Sequence, residues 1–162
     1  MTEIKNMKYR ELKKEDLTKI TWAGDKLHLE YLAKHIELAK SGDYEIVCGL
    51  KNKEIVVVGG IDYLKYLNFG TFWMVNVKDE YQGQGIGSKF FSELEERVNE
   101  KGIGAIRLLV EKTNPRAKKL YLKLGYVYIK DVQDQWQVFD ANGKAQTFVA
   151  QCDLLEKQLH NI

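Results

Sequence analysis

The sequence predicts an α/β fold of the α+β kind, a central mixed, mostly antiparallel sheet with one parallel strand pair and helices flanking it. Three observations predict this. Apolar, β-branched runs at residues 44–50, 54–61 and 69–77 succeed one another like the strands of a meander. A glycine-rich stretch then opens an amphipathic helical pattern. Behind that helix, residues 105–110 are almost wholly apolar, as expected of a strand covered on both faces and paired in parallel with a neighbour. Strand, glycine loop, helix and buried strand make one right-handed βαβ crossover.

The chain has 162 residues, 44% hydrophobic and 30% charged, which suits one domain over 1–162 with a full core. Lysine and arginine number 25 against 23 acidic residues, a net charge of +2 that provides no general field for nucleic acid or an anionic membrane. Residues 1–10 are polar and mixed, without the apolar core of a signal peptide, and no apolar run is long enough for a membrane span. A cytoplasmic protein is expected. Cys48 and Cys152 lie far apart inside strand-like runs and match no metal or redox spacing, so they read as two buried thiols, with no metal site.

Taken in order, residues 9–12 form a short first strand, and Lys14 to Asp16 begin helical sequence. Residues 25–40 make the first full helix, with Leu29, Leu32, Ala33, Ile36 and Ala39 at helical spacing and Ser41-Gly42 ending it. Lys51-Asn52-Lys53 is a hairpin turn between the next two strands. The third strand ends in Met74-Val75-Asn76-Val77, ahead of the turn-prone Lys78-Asp79-Glu80. Past the glycines, Ile86, Phe90, Phe91, Leu94 and Val98 share one helix face, and Gly102 stops the helix. Asn114-Pro115 pairs an N-cap side chain with proline in the first turn, and Ala117, Leu120, Tyr121 and Leu124 share a face before Gly125. Residues 127–132 and 147–154 are the last strands, with turn chemistry at 140–144.

The stretch Tyr81-Gln82-Gly83-Gln84-Gly85-Ile86-Gly87-Ser88 is built to hold an anion. Glycines permit close backbone approach, and the first turn of a helix offers unpaired N–H groups and the positive end of a dipole. Two nucleotide readings fail on it. A mononucleotide P-loop places lysine before Ser or Thr after its last glycine, whereas Gly87 is followed by Ser88-Lys89. The dinucleotide fingerprint needs GxGxxG spacing and an acidic residue about twenty positions on, where this chain has Arg107-Leu108-Leu109.

Gln82-Gly83-Gln84-Gly85-Ile86-Gly87 does match Q/R-x-x-G-x-G/A, and so resembles the cofactor signature of the GNAT superfamily of N-acetyltransferases. Asn114-Pro115-Arg116-Ala117-Lys118-Lys119-Leu120-Tyr121-Leu122-Lys123-Leu124-Gly125-Tyr126 is similar to that family's N-x-x-A-x-x-L-Y-x-K-L-G-F/Y segment. The resemblance runs from about residue 69 to 127. It implies a GNAT-like sheet whose parallel pair splays, acetyl-CoA as co-substrate, and transfer of its acetyl group to a primary amine by direct attack on the thioester. Cofactor contacts are implied for Val75 and Val77 along the pantetheine and for Gln82 to Ser88 at the pyrophosphate, together with Asn114 and Ala117. Lys118 and Lys119 are candidates for the ribose phosphate.

The resemblance also implies a backbone donor near Val77 for the developing oxyanion, and Tyr121 as the general acid for the leaving thiolate. A phenol of pKa about 10 can protonate a thiolate whose conjugate acid lies near 8.5. Many relatives carry a glutamate on the strand before the loop, whereas Thr71-Phe72-Trp73-Met74-Val75-Asn76 has no carboxylate. Asp62, Glu30, Glu111 and ordered water are the substitutes. Trp22, Tyr31, Tyr63, Tyr66, Trp73 and Trp136 are aromatic candidates for the acceptor site, which would take a small-molecule or peptide amine. The alternative class is a non-catalytic acyl-CoA-binding or sensing module. Homodimers are common in the resembling family, and the last hairpin is a candidate contact.

Overall fold

The computed structural model describes residues 6–159, except for the side chain of Phe139. The first five residues of the polar start therefore lie outside the described residues. Among the described residues, seven strands, β1 (Met7–Glu11), β2 (Tyr44–Lys51), β3 (Glu54–Asp62), β4 (Gly70–Val77), β5 (Ala105–Glu111), β6 (Val127–Phe139) and β7 (Ala145–Gln158), form a mixed sheet in the order β1-β2-β3-β4-β5-β7-β6, with β4 and β5 as its parallel pair. The chain divides into two compact units, one reaching to Ile106 and taking in Leu159, the other covering Arg107–Gln158.

In the first unit, β1 (Met7–Glu11), β2 (Tyr44–Lys51), β3 (Glu54–Asp62) and β4 (Gly70–Val77) pair in succession, antiparallel throughout. The β2–β3 turn closes with Asn52 and Lys53 both at positive φ, which matches the right-handed twist of the strands it joins. A short 3-10 segment, Lys14–Lys19, buries Asp16, whose carboxylate takes two bonds from Arg10 at 2.7 and 3.0 Å and one from the Lys13 N–H at 2.8 Å.

Helix α1 (Lys26–Leu38) starts one residue later than expected because Asp25 is its cap, accepting from the His28 N–H at 2.9 Å. Its buried face carries Leu32 as predicted, and also His35. On that side of the sheet Leu12, Ile20, Leu32, Ile46, Cys48 and Val58 form one apolar cluster. Helix α2 (Ile86–Glu100) covers the other side, burying Ile86, Phe90, Phe91, Leu94 and Val98, the five residues its pattern predicted. Gly59 admits the Phe90 ring, and Phe72 and Phe91 meet edge to face at 5.5 Å.

The second unit holds most of β5 (Ala105–Glu111), then α3 (Pro115–Lys123), β6 (Val127–Phe139) and β7 (Ala145–Gln158). The last two strands are much longer than the 127–132 and 147–154 expected. They pair without interruption from Val132↔Cys152 to Phe139↔Ala145. Residues 133–138 alternate, but their polar members are glutamine and aspartate and both faces near the tip are partly open to water, so the apolar signal that marks a strand is diluted. Both cysteines are free and buried, as predicted.

Candidate active site

The glycine loop rises from the end of β4 through a turn at Asp79–Tyr81. Its approach is braced: Glu54 on β3 accepts from Lys78 Nζ at 2.6 Å and from the Tyr81 hydroxyl at 2.7 Å. Gln82 folds back, donating through Nε2 to the Val77 carbonyl at 3.1 Å and to Asp79 at 3.2 Å. Its side chain ties loop to strand and leaves the outer face of the loop to the backbone. Gly83 and Gly85 stand at φ +78° and +82°, and Gly85 is the N-cap of α2, where it supplies no side-chain acceptor. The first helical bond runs from Lys89 N–H to the Gly85 carbonyl at 3.1 Å. Among the described residues, the six N–H groups of residues 83–88 have no backbone acceptor. A β-carbon at Gly83 would meet nothing within 4 Å, so the cradle is open on that side.

β4 is irregular where it approaches the loop. Val58 faces Asn76 and Gly60 faces Trp73, so Gly59 stands opposite both Met74 and Val75. This is a β-bulge, and Met74 absorbs it at φ +51°. Its effect is visible in the side chains. Trp73 and Met74, adjacent in sequence, both pack on the α1 side, while Val75 lies beside Gly59 on the α2 side. Asn76 turns back to donate to the Ala23 carbonyl at 2.8 Å, and Val77 comes within 3.6 Å of where a Gly87 β-carbon would stand. The β3–β4 register is interrupted at Met74–Val75, two to three residues ahead of the position near Val77 that the family pattern implies.

In the second unit, Asn114 Oδ1 accepts from the Ala117 N–H at 3.2 Å, so both residues are engaged in capping α3. Tyr121 is half-buried, its ring 6.5 Å from that of Tyr126, and burial pushes its phenol pKa up. Lys118 Nζ lies 2.8 Å from the buried Asp153 and over the Tyr128 ring. Asp153 also holds Lys112 at 2.5 Å, and the two ammonium groups keep its carboxyl below the usual range. Lys119 is exposed.

Of the proposed bases, Asp62 caps a turn, accepting from the Leu64 and Lys65 N–H groups at 2.7 and 3.0 Å. Glu30 lies on the exposed face of α1. The aromatic candidates separate. Tyr63 belongs to the α2 side, donating to Glu45 beneath Lys101, and Trp136 pairs with Phe148 across the last hairpin at 5.0 Å. Tyr31 and Trp73 do meet, edge to face at 5.8 Å. They meet around a residue absent from the expected set, His35, whose ring lies 4.2 Å from Tyr31, 4.9 Å from Tyr44 and 4.9 Å from Trp73. A lone histidine on an apolar helix stripe carries no spacing signal, so only the folded arrangement reveals it.

Comparison with known proteins gives a consistent picture. The model of the acetyltransferase (GNAT) family matches residues 8–126. The thialysine N-epsilon-acetyltransferase of Bos taurus is 38% identical over 76 residues, which cover 47% of this chain and 44% of that protein. The chain thus spans less than half the length of the curated relatives it matches. A spermidine/spermine N-acetyltransferase from Vibrio cholerae superposes with a TM-score of 0.73 at 16% identity, over 96% of this chain and 94% of that one. An N-acetyltransferase from Thermoplasma acidophilum in complex with coenzyme A does so with a TM-score of 0.67 at 18% identity, over 94% and 98%. At these identities the two structures share the fold.

Proposed function

The chain belongs to the acetyltransferase (GNAT) family, and on that premise we propose that it is an N-acetyltransferase moving the acetyl group of acetyl-CoA to a primary amine. The observation that carries this reading is the run of six N–H groups at residues 83–88 that lack backbone acceptors, at the N-terminus of a 15-residue helix. Such a cradle suits a pyrophosphate without any side-chain cation. Gln82, Gly83, Gln84, Gly85, Ile86, Gly87 and Ser88 would hold it. The bulged end of β4, with Val75 and Val77 beside it, would hydrogen-bond the amide-rich pantetheine as a strand would. Bound acetyl-CoA supplies an activated thioester carbonyl.

The chain's own residues supply position and protons. A backbone N–H at the bulged end of β4, toward Val77, would stabilise negative charge on the carbonyl oxygen. Tyr121 is the proton donor to the departing sulfur. Burial raises its phenol, so at neutral pH it holds its proton and is poised to deliver it. Asn114 and Ala117 serve by fixing the start of the helix that carries Tyr121. The acceptor class is a small molecule with a primary amine, in keeping with relatives named for thialysine and for spermidine and spermine. Homodimer assembly through the β6–β7 hairpin belongs to the same reading. Trp136 and Phe148, 41% and 45% exposed, would form the contact.

A second reading, an acyl-CoA-binding module without catalysis, is favoured by one observation, the absence of a carboxylate on β4. Release of free thiol from acetyl-CoA across polyamines, amino acids, aminoglycosides and peptides separates the two. Thiol release with any amine supports the enzyme. CoA binding without release with all of them supports the module.

A further inference from the structure

We propose that His35 is the group that takes the proton from the acceptor amine, with its tautomer fixed by the Tyr31 carbonyl and its position fixed by Trp73. The proposal rests on the acetyl-transfer reading above and fills the role that a carboxylate on β4 does not. His35 sits on the buried face of α1, only 7% exposed. Its Nδ1 lies 2.9 Å from the carbonyl oxygen of Tyr31, one turn earlier. A carbonyl only accepts, so Nδ1 carries the hydrogen, and the neutral ring has its lone pair on Nε2. The one hydrogen bond of the ring among the described residues is made by Nδ1, and Nε2 is not one of the buried orphaned atoms, so it keeps access to solvent. This is the state in which a base must wait, anchored through one nitrogen and free at the other.

The surroundings also suit an amine. Tyr31 from α1, Tyr44 from β2 and Trp73 from β4 close around the imidazole, and aromatic faces favour an ammonium group. Trp73 is the last residue before the bulge at Met74–Val75, so the ring that packs on the imidazole adjoins the irregular backbone of β4. The Trp73 Nε1–H is buried with no acceptor among the described residues, a donor left for a ligand atom. Among the described residues, the titratable groups whose rings contact His35 are the phenols of Tyr31 and Tyr44. Tyr44 is pushed up by burial first and then by the charges of Asp62 and Asp43, so it stays neutral while an imidazole titrates.

The step balances as follows. His35 Nε2 accepts one proton from the acceptor ammonium and becomes imidazolium. The freed nitrogen pair forms the C–N bond to the acyl carbon, and the C–S bond breaks with its pair on sulfur. Sulfur takes a proton from Tyr121. The new amide nitrogen sheds a second proton that restores the tyrosine, and imidazolium passes its own proton to water. The sum is ammonium plus thioester giving amide, thiol and one proton.

The test combines a titration with a rate profile. The His35 imidazole is titrated by nitrogen-15 NMR in the wild-type protein, which also reads the tautomer, and kcat/KM is measured against pH with the best amine of the thiol screen. The midpoint of the acid limb is expected to coincide with the His35 titration, with the hydrogen on Nδ1. His35→Asn keeps a donor for the Tyr31 carbonyl, and His35→Phe keeps the ring packing. Each should lose the acid limb and about 10²-fold or more in kcat/KM, with acetyl-CoA affinity by calorimetry unchanged. Midpoints that differ by more than about one pH unit, a hydrogen on Nε2, or a His35→Asn enzyme with the wild-type rate and limb overturn the proposal while acetyl transfer stands. A wild-type protein that transfers acetyl to no amine overturns both.

Discussion

The indole of Trp73 lies flat across Gly60: a β-carbon on Gly60 would stand 2.5 Å from Cε2, 2.7 Å from Cζ2 and 2.8 Å from Nε1. The two residues are register partners on β3 and β4, so neither backbone can retreat without breaking the ladder. Gly60→Ala is expected to cost about 1–3 kcal/mol through overpacking. Urea unfolding measures that cost, and a shifted tryptophan emission would report the displaced ring.

Tyr121→Phe removes one hydroxyl and keeps the ring against Tyr126. The expected outcome is a kcat lower by about 10²-fold or more, with acetyl-CoA affinity unchanged in calorimetry. Burial raises the phenol, so its proton is lost only above its ordinary value of about 10. Any fall in wild-type rate below that pH belongs to another group.

Gly83→Ala tests the cradle. There is room for the methyl group, so its cost to folding is conformational, about 1–2 kcal/mol for an L-residue at φ +78°. Gly104→Ala, also in open space but without the positive φ, is the control and should leave the melting temperature unchanged or higher. Acetyl-CoA affinity should weaken in the first variant alone, as read by calorimetry.

Asp153 links stability to pH. Lys112 and Lys118 depress its carboxyl in the folded state, so the ionised form contributes stability above the unfolded value of about 4. That contribution is lost as pH falls through the lower folded value. Asp153→Asn should cost about 1–3 kcal/mol at pH 7. The gap between variant and wild type should narrow as the pH is lowered below 4, which urea titrations at a series of pH values would reveal.

The parts of the fold governed by periodicity were legible in the sequence. The buried face of α2, the meander and the capped start of α3 follow from apolar spacing and from Asn114-Pro115, and the structure reproduces them. The outer half of the β6–β7 hairpin was not, because glutamines at 133, 135 and 137 alternate with an aspartate, a tryptophan and a valine rather than with a uniform apolar face. The loop was legible because three glycines in five residues are costly without a ligand to justify them. Lys118 could not be assigned, since its partner Asp153 lies 35 positions on. His35 was hidden for the same reason, its partners Tyr44 and Trp73 being brought to it by two separate strands.

The bulge at Met74–Val75 also reverses the parity of β4. Before it, odd-numbered Trp73 faces α1 and even-numbered Phe72 faces α2. After it, even-numbered Asn76 faces α1 and odd-numbered Val75 and Val77 face α2. Met74 is therefore a supernumerary residue. Deleting it would join two stretches whose alternation is already in step, and every other side chain of the strand would keep its side. Deleting Asn76 would instead carry a valine through the sheet to the wrong layer. The bulge is where the length of the strand can change without scrambling inside and outside, and it adjoins the backbone on which acetyl transfer would depend.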